Sequence, residues 1–131
     1  MRQVFGRASC LLLLLPIVGC HKLTFEKSES LDVSEVKKYA VDPPRVKQNV
    51  RVVATSSECP VSVYVVLDEN APAVEDAIQS STKPAADKVL GGADKQQEAT
   101  VDATIPAKSG FTILVGGATK KTNITVKLTE T

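Results

Sequence analysis

The side chains able to do chemistry are few and poorly grouped. The one histidine, His21, stands directly after Cys20 at the end of an apolar run, so no imidazole lies within the body of the chain. A Ser-His-Asp or Cys-His nucleophile needs one there as its base, which excludes the common nucleophilic hydrolases. The densest acids are Asp68-Glu69 and Glu75-Asp76. They lack the alternate spacing of a calcium loop, and the chain does not supply the three or four converging ligands of a zinc site. Both pairs read as solvated charges. They do not read as the paired carboxylates of a glycosidase either, because a chain with no Trp, two Tyr and three Phe offers no aromatic platform for sugar. Cys59, in "SSECPV", follows Glu58, whose carboxylate would raise the thiol pKa and blunt its nucleophilicity. A small buried apolar residue is the expected role, and an intermolecular disulfide is the alternative. Asn123-Ile124-Thr125 matches a glycosylation acceptor but reads as a strand start after a turn. No catalytic residue, metal site or cofactor is expected, and no small-molecule substrate.

Cys20 is the exception. In "LLLLLPIVGCHK" the apolar stretch over residues 8–18 sits behind Arg2 and Arg7. Its length of about 11 residues falls short of the roughly 20 that span a bilayer as a helix. A positive head, a short Leu-rich middle and small residues at the end are the parts of a secretory signal peptide. Its last four residues, Ile17-Val18-Gly19-Cys20, resemble the lipobox of bacterial lipoproteins. That resemblance implies that the Cys20 thiol is alkylated with diacylglycerol, that the chain is cut before it, and that the new amine is acylated. Cleavage nearby by an ordinary signal peptidase, giving a soluble secreted protein, is the alternative. In lipoproteins of double-membrane bacteria an Asp after the lipidated Cys commonly retains the protein at the inner membrane. Here that position is His21, so the resemblance implies the outer membrane.

Loss of residues 1–19 leaves one domain, residues 20–131, large enough to fold around its own core. Arg2 and Arg7 leave with the signal, so Lys+Arg falls from 16 to 14 against 15 Asp+Glu. No basic excess remains for nucleic acid or for anionic lipid. Cys10 leaves too and Cys20 carries lipid, so Cys59 has no partner for an internal disulfide.

The domain's pattern is that of strands. Val50, Val52 and Ala54 alternate with Arg51, Val53 and Thr55, and Val61, Val63, Val65 and Leu67 with Ser62, Tyr64 and Val66. Ala99, Val101, Ala103 and Ile105 form another such face, as do Phe111, Ile113 and Val115, and Ile124, Val126 and Leu128. Shorter strands are expected over residues 23–26, 36–41 and 88–90, about eight in all. Between them Asn70, Pro72 and the helical spacing of Ala73, Val74, Ala77 and Ile78 predict a short helix over residues 72–80. "LGGADKQQEATV" and "VGGATKKTNITV" both read as strand, Gly-Gly turn, strand, two hairpins with similar turn chemistry. Eight short strands with frequent turns predict an all-β fold, an antiparallel β-sandwich of jelly-roll-like form with one helix.

The tail "IPAKSGFTILVGGATKKTNITVKLTE", with "VSVYVVLD" and "KKYAVDPP" before it, resembles bacterial pre-peptidase C-terminal domains over roughly residues 33–129. Some of those domains hold calcium through acidic residues, but Ser62 stands where the strand acid would be and Ile124 where the final aromatic would be. The resemblance implies the fold and not the calcium. Two roles follow. One is a lipid-tethered, noncatalytic module binding an unidentified envelope protein, with Tyr39, Tyr64 and Phe111 as the candidate interaction surface. The other is a structural envelope lipoprotein without a specific ligand, which could bury all three. Leu23-Thr24-Phe25-Glu26 alternates like a strand just past Cys20, with Leu23 and Phe25 toward the core, so the domain is expected to begin within about 10 Å of the lipid.

Two or three acyl chains, at roughly 0.8 kcal/mol per buried methylene, hold a protein on a membrane almost irreversibly. Cys20→Ser is therefore expected to release the chain or leave it unprocessed in a membrane-partition assay. A processed mutant that still sediments with membranes would overturn the assignment.

Overall fold

A computed structural model of the chain describes residues 24–131, so the apolar leader, Cys20, His21 and Leu23 lie outside the described residues. The elements in order are β1 (Phe25–Leu31), β2 (Lys37–Val41), β3 (Gln48–Ser56), β4 (Val61–Leu67), α1 (Ala71–Gln79), β5 (Gly91–Gln96), β6 (Glu98–Ile105), β7 (Phe111–Gly116) and β8 (Thr122–Glu130). They form two four-stranded antiparallel sheets, ordered β1-β8-β3-β6 and β2-β7-β4-β5. The all-β sandwich with one short helix is thus the observed architecture. Successive strands change sheet at every connection except β4 to β5, where the chain makes a detour through α1.

Alternation sets which residues meet between the sheets. On β6, Ala99, Val101, Ala103 and Ile105 are buried, while Thr100, Asp102 and Thr104 face water. Val50, Val52 and Ala54 of β3 and Ile124, Val126 and Leu128 of β8 complete that sheet's inner face. They pack against Val61, Val63 and Val65 of β4 and Phe111, Ile113 and Val115 of β7. The second sheet buries its outer face as well. Val74 and Ile78, one turn apart on α1, lie on Tyr64, Val66 and Leu114, so every residue of β7 and all of β4 but Leu67 is buried. Pro72 sits in the first turn of α1, where its missing N–H has no intrahelical partner to lose.

Three sequence expectations need correction. The first strand starts at Phe25 and runs on to Leu31 instead of covering residues 23–26. Phe25 is half-buried against the core, its ring set edge-on to Tyr39 at 5.9 Å. Residues 88–90 are not a strand: Ala86–Lys88 is a 3-10 turn, and β5 begins at the Gly91-Gly92 pair read as a turn. The two Gly-Gly segments are not hairpins either. β5 and β6 belong to different sheets, as do β7 and β8, so each segment is a corner at which the chain passes between sheets.

Gly92 is required by close approach. It pairs with Tyr64 across β4 and β5, and a Cβ there would overlap the Tyr64 ring, coming within 2.7 Å of Cε1. The ring is 6% exposed and confined by α1, so it has little room to move aside. Gly92→Ala is expected to destabilise the domain by about 1–3 kcal/mol, the usual range for overpacking. An unchanged thermal midpoint would show that the ring yields.

Candidate functional site

The residues singled out from sequence do not assemble into one surface. Phe111 is fully buried between the sheets. Tyr64 lies on the opposite face of its sheet, under α1. Tyr39, 9% exposed, turns inward and donates from its hydroxyl to Glu29 Oε2 at 2.6 Å; burial first, then Glu29, pushes its phenol up. The expected aromatic patch is therefore absent from the surface, because each ring fills an interior gap and each of the two phenols finds a carboxylate. Cys59 is buried at the corner before β4, its Sγ 3.5 Å from the Lys120 carbonyl oxygen. Burial pushes its thiol up, but backbone and hydroxyl groups of Lys120 and Thr119 and the Lys120 charge outweigh that and hold it below the usual range. Glu58, expected to raise it, is exposed and takes no part. Of the acid pairs, Asp68, Glu69 and Asp76 are exposed and Glu75 is half-buried; Asp68 accepts the Thr112 hydroxyl at 2.7 Å, and Glu75 pairs with Lys38 at 3.2 Å, tying α1 to β2. Among the described residues no three His, Cys, Asp or Glu side chains come together to hold a metal, and no helix is long and apolar enough to cross a membrane.

A different set of residues forms a groove at the end of the sandwich where β1 finishes and β4 begins. Its origin is a bulge. Val61 faces Gln96 and Val63 faces Ala93, so two steps along β4 match three along β5. The extra residue leaves a local break in the ladder, and Ser62 repairs it. Its hydroxyl accepts the Lys95 N–H at 3.3 Å and donates to Asp94 Oδ1 at 2.6 Å, an oxygen that Tyr64 also approaches at 3.5 Å. Burial, the Asp94 charge and this hydrogen bond push the Tyr64 phenol up. Residues 81–83, just past α1, and Gly117, at the β7–β8 corner, close the notch over this cluster.

The inner notch has a volume of about 60 Å³. It shares Ile78, Ser81, Lys95 and Gly117 with an outer groove of about 280 Å³ that runs past Ser34, Gln79 and Thr119. At roughly 30 Å³ per water in the liquid, the notch holds the end of one side chain and not a whole metabolite. A carboxylate approached by two hydroxyls can bind and orient a polar group placed in the notch.

The backbone around the groove is strained. Among the described residues four that are not glycine have positive φ, and three of them line it: Ser34 (69°), Ser81 (58°) and Lys95 (54°). Gly117, at 78°, is a glycine because of that angle and not for want of space, since a Cβ would meet Ser62 only at 3.5–3.8 Å. For other residues the left-handed conformation costs about 1–2 kcal/mol each. Ser81 shows the pattern best. It follows α1 in a Schellman-type stop, its N–H bonded to the Ile78 carbonyl at 3.1 Å and the Thr82 N–H to Ala77 at 2.9 Å, a place where glycine is the usual choice. None of these side chains stood out in the sequence. Lys95 and Ser81 are ordinary residue types, and Gly91-Gly92, just before Asp94, read as a turn although the close approach of the Tyr64 ring is what requires Gly92.

No family model matches the chain, and no curated protein does. Among solved structures the fold is similar to that of Aeromonas hydrophila PliG, a periplasmic lysozyme inhibitor of g-type lysozyme. The TM-score is 0.51 with 9% sequence identity, covering 82% of this chain and 86% of that one. Salmonella Typhimurium PliG gives a TM-score of 0.46 at 10% identity over 82% and 91% of the two chains. At such identities the likeness to the Aeromonas protein is one of fold, and no residue role carries over.

If Ser81 is held left-handed against its preference, Ser81→Gly is expected to stabilise the domain by about 1 kcal/mol and Ser81→Val to destabilise it by more. Chemical denaturation of the two variants checks this. A Gly variant no more stable than the parent would show that the serine hydroxyl compensates for the strain.

Proposed function

We propose that the protein is a lipid-anchored, noncatalytic module of the cell envelope that binds another protein through the groove framed by Ser34, Ser81 and Lys95. The observation that carries this is the clustering of left-handed non-glycine residues around one groove. Strained backbone persists where its surroundings over-determine it, and such positions gather at binding sites. The groove's shape suits an inserted side chain or loop tip of a partner. Polar groups are available on its walls, from Asp94 below to Lys83 and Glu35 at the rim. The fold likeness supports a binding role, since the Aeromonas protein of this architecture is named as an inhibitor of another protein and as periplasmic.

Cys20 as the lipidated residue supplies the anchor, and His21 after it favours the outer membrane. β1 starts at Phe25, so the five steps from Cys20 span at most about 18 Å. A tether that short keeps the domain at one membrane face. β1 leads away from its start toward the groove end, which leaves the groove pointing away from the lipid.

The burial of Tyr39, Tyr64 and Phe111 favours a second reading, a structural envelope lipoprotein with no specific ligand. Photo-crosslinking in whole cells separates the two, with the crosslinker placed at Gln79 on the groove or at Thr100 on the exposed face of the other sheet. The binding module is expected to give a discrete adduct from position 79 and none from 100. Equal, diffuse labelling from both sites would support the structural role and overturn ours. Cell-wall lysis by a g-type lysozyme, with and without the protein, tests whether the likeness extends to that partner.

A further inference from the structure

The end of the sandwich opposite the groove carries a second feature, the loop between β2 and β3. Its tip reads Pro43-Pro44-Arg45-Val46-Lys47. Val46 is 64% exposed and is one of two large hydrophobics exposed among the described residues; the other, Val33, lies beside the groove at the far end. Arg45 and Lys47 flank Val46, and Lys108 of the β6–β7 loop stands against it across a shallow apolar depression lined by the two prolines. The tip is rigid in construction. The Lys108 N–H donates to the Pro44 carbonyl at 2.7 Å, and Lys108 is the one non-glycine residue with positive φ, 60°, found at this end. An apolar tip between three cations is the composition of a surface that enters lipid headgroups.

The register places this tip relative to Cys20. Phe25 pairs with Leu128, and Leu128 pairs with Val52, so the start of β1 is level with Val52 of β3. From Val52 back to Gln48, β3 continues toward the same end by about 13 Å, and the loop lies beyond it. Cys20 reaches no more than about 18 Å past Phe25. A membrane holding Cys20 through lipid is therefore brought to the level of the loop.

We infer that the tip formed by Arg45, Val46 and Lys47, with Lys108 beside it, rests on anionic phospholipid headgroups of the membrane that holds Cys20, with Val46 at the headgroup–acyl boundary. This rests on the reading of Cys20 as the lipid carrier. Acids occur at this end too, with exposed Asp42 opening the loop and Asp68, Glu69 and Glu130 at neighbouring strand ends, but none of them lines the depression beside Val46, whose charged residues are Arg45 and Lys108. The contact sets orientation: lipid and tip form two points of attachment, and the groove is held facing away from the bilayer.

The test uses the full lipidated chain in vesicles of phosphatidylethanolamine and phosphatidylglycerol. An environment-sensitive fluorophore is attached at Val46→Cys or, as the opposite-end control, at Val33→Cys. Cys59 is buried, and the unsubstituted chain measures its background labelling. A blue shift and quenching by lipid-borne quenchers are expected at position 46 and not at 33. Both signals should be lost with Arg45→Glu and Lys47→Glu together, and weakened in phosphatidylcholine vesicles. Protein that floats with vesicles while positions 46 and 33 respond alike would overturn the inference and leave the anchor standing. Protein that carries no lipid on Cys20 and does not float would overturn both.

Discussion

Double burial of β4 and β7 is the constraint on which the rest of the structure depends. These two strands lie at the centre of one sheet, with the other sheet on one side and α1 on the other, and neither cover is complete without its partner. Val74 and Ile78 are only one helical turn of apolar contact, and a helix of nine residues is not stable alone. It is held because Tyr64, Val66 and Leu114 give it an apolar bed. In return it keeps the Tyr64 ring pressed over Gly92, which positions β5, its bulge and Asp94. The groove is thus a by-product of how the second face of one sheet is covered, and changes under the helix reach it through Tyr64.

Chain topology tightens the same constraint. Every connection but one crosses between the sheets, so no strand and its successor form an independent hairpin, and nearly all pairings join distant parts of the sequence. Such a fold closes its core late and cooperatively. The β4–α1–β5 unit is the local exception, the one segment whose consecutive elements pack on each other.

Alternation made the sandwich legible, because a residue's side of a strand is fixed by its position alone. Residues 61–67 were read as a strand with the bounds that the structure shows for β4, and β6 buries the face its sequence assigned. What alternation leaves open is whether the other face is covered. The contrast was present in the residue types: Thr100, Asp102 and Thr104 on the outer face of β6 are polar, whereas Tyr64 and Val66 on that of β4 are not. β5 was missed because Gly91, Gly92, Asp94 and Lys95 carry no strand preference, and it is held by pairing with Val65, Tyr64 and Val63. The groove was hidden for a related reason. Its left-handed positions are filled by serine and lysine instead of glycine, so the residue types give no sign of the conformation. The burial of all three candidate aromatic residues is the outcome that the structural reading allowed. In a domain of this composition, scarce large side chains fill the core.

Where a partner could attach follows from what the remaining surface withholds. The open face of the first sheet is already paired within itself: Arg51 with Asp102 at 2.8 Å, Ser28 with Thr125 at 3.1 Å, and Thr104 with Asn49 at 2.8 Å. It exposes little apolar area. The four edge strands are defended against an added strand in the usual ways. Glu26 and Lys27 stand on β1, Lys37 and Lys38 on β2, Glu98 and Asp102 on β6, and β5 carries its bulge and Asp94-Lys95. With faces covered or self-satisfied and edges blocked, recognition is left to the two ends of the sandwich. They differ in chemistry: one has a cleft with a carboxylate at its base and strained backbone around it, the other a basic tip with a bare valine. A concave polar end and a convex basic end are suited to different neighbours, one a protein and one an anionic surface, and β1 runs from the side of the basic end toward the concave one.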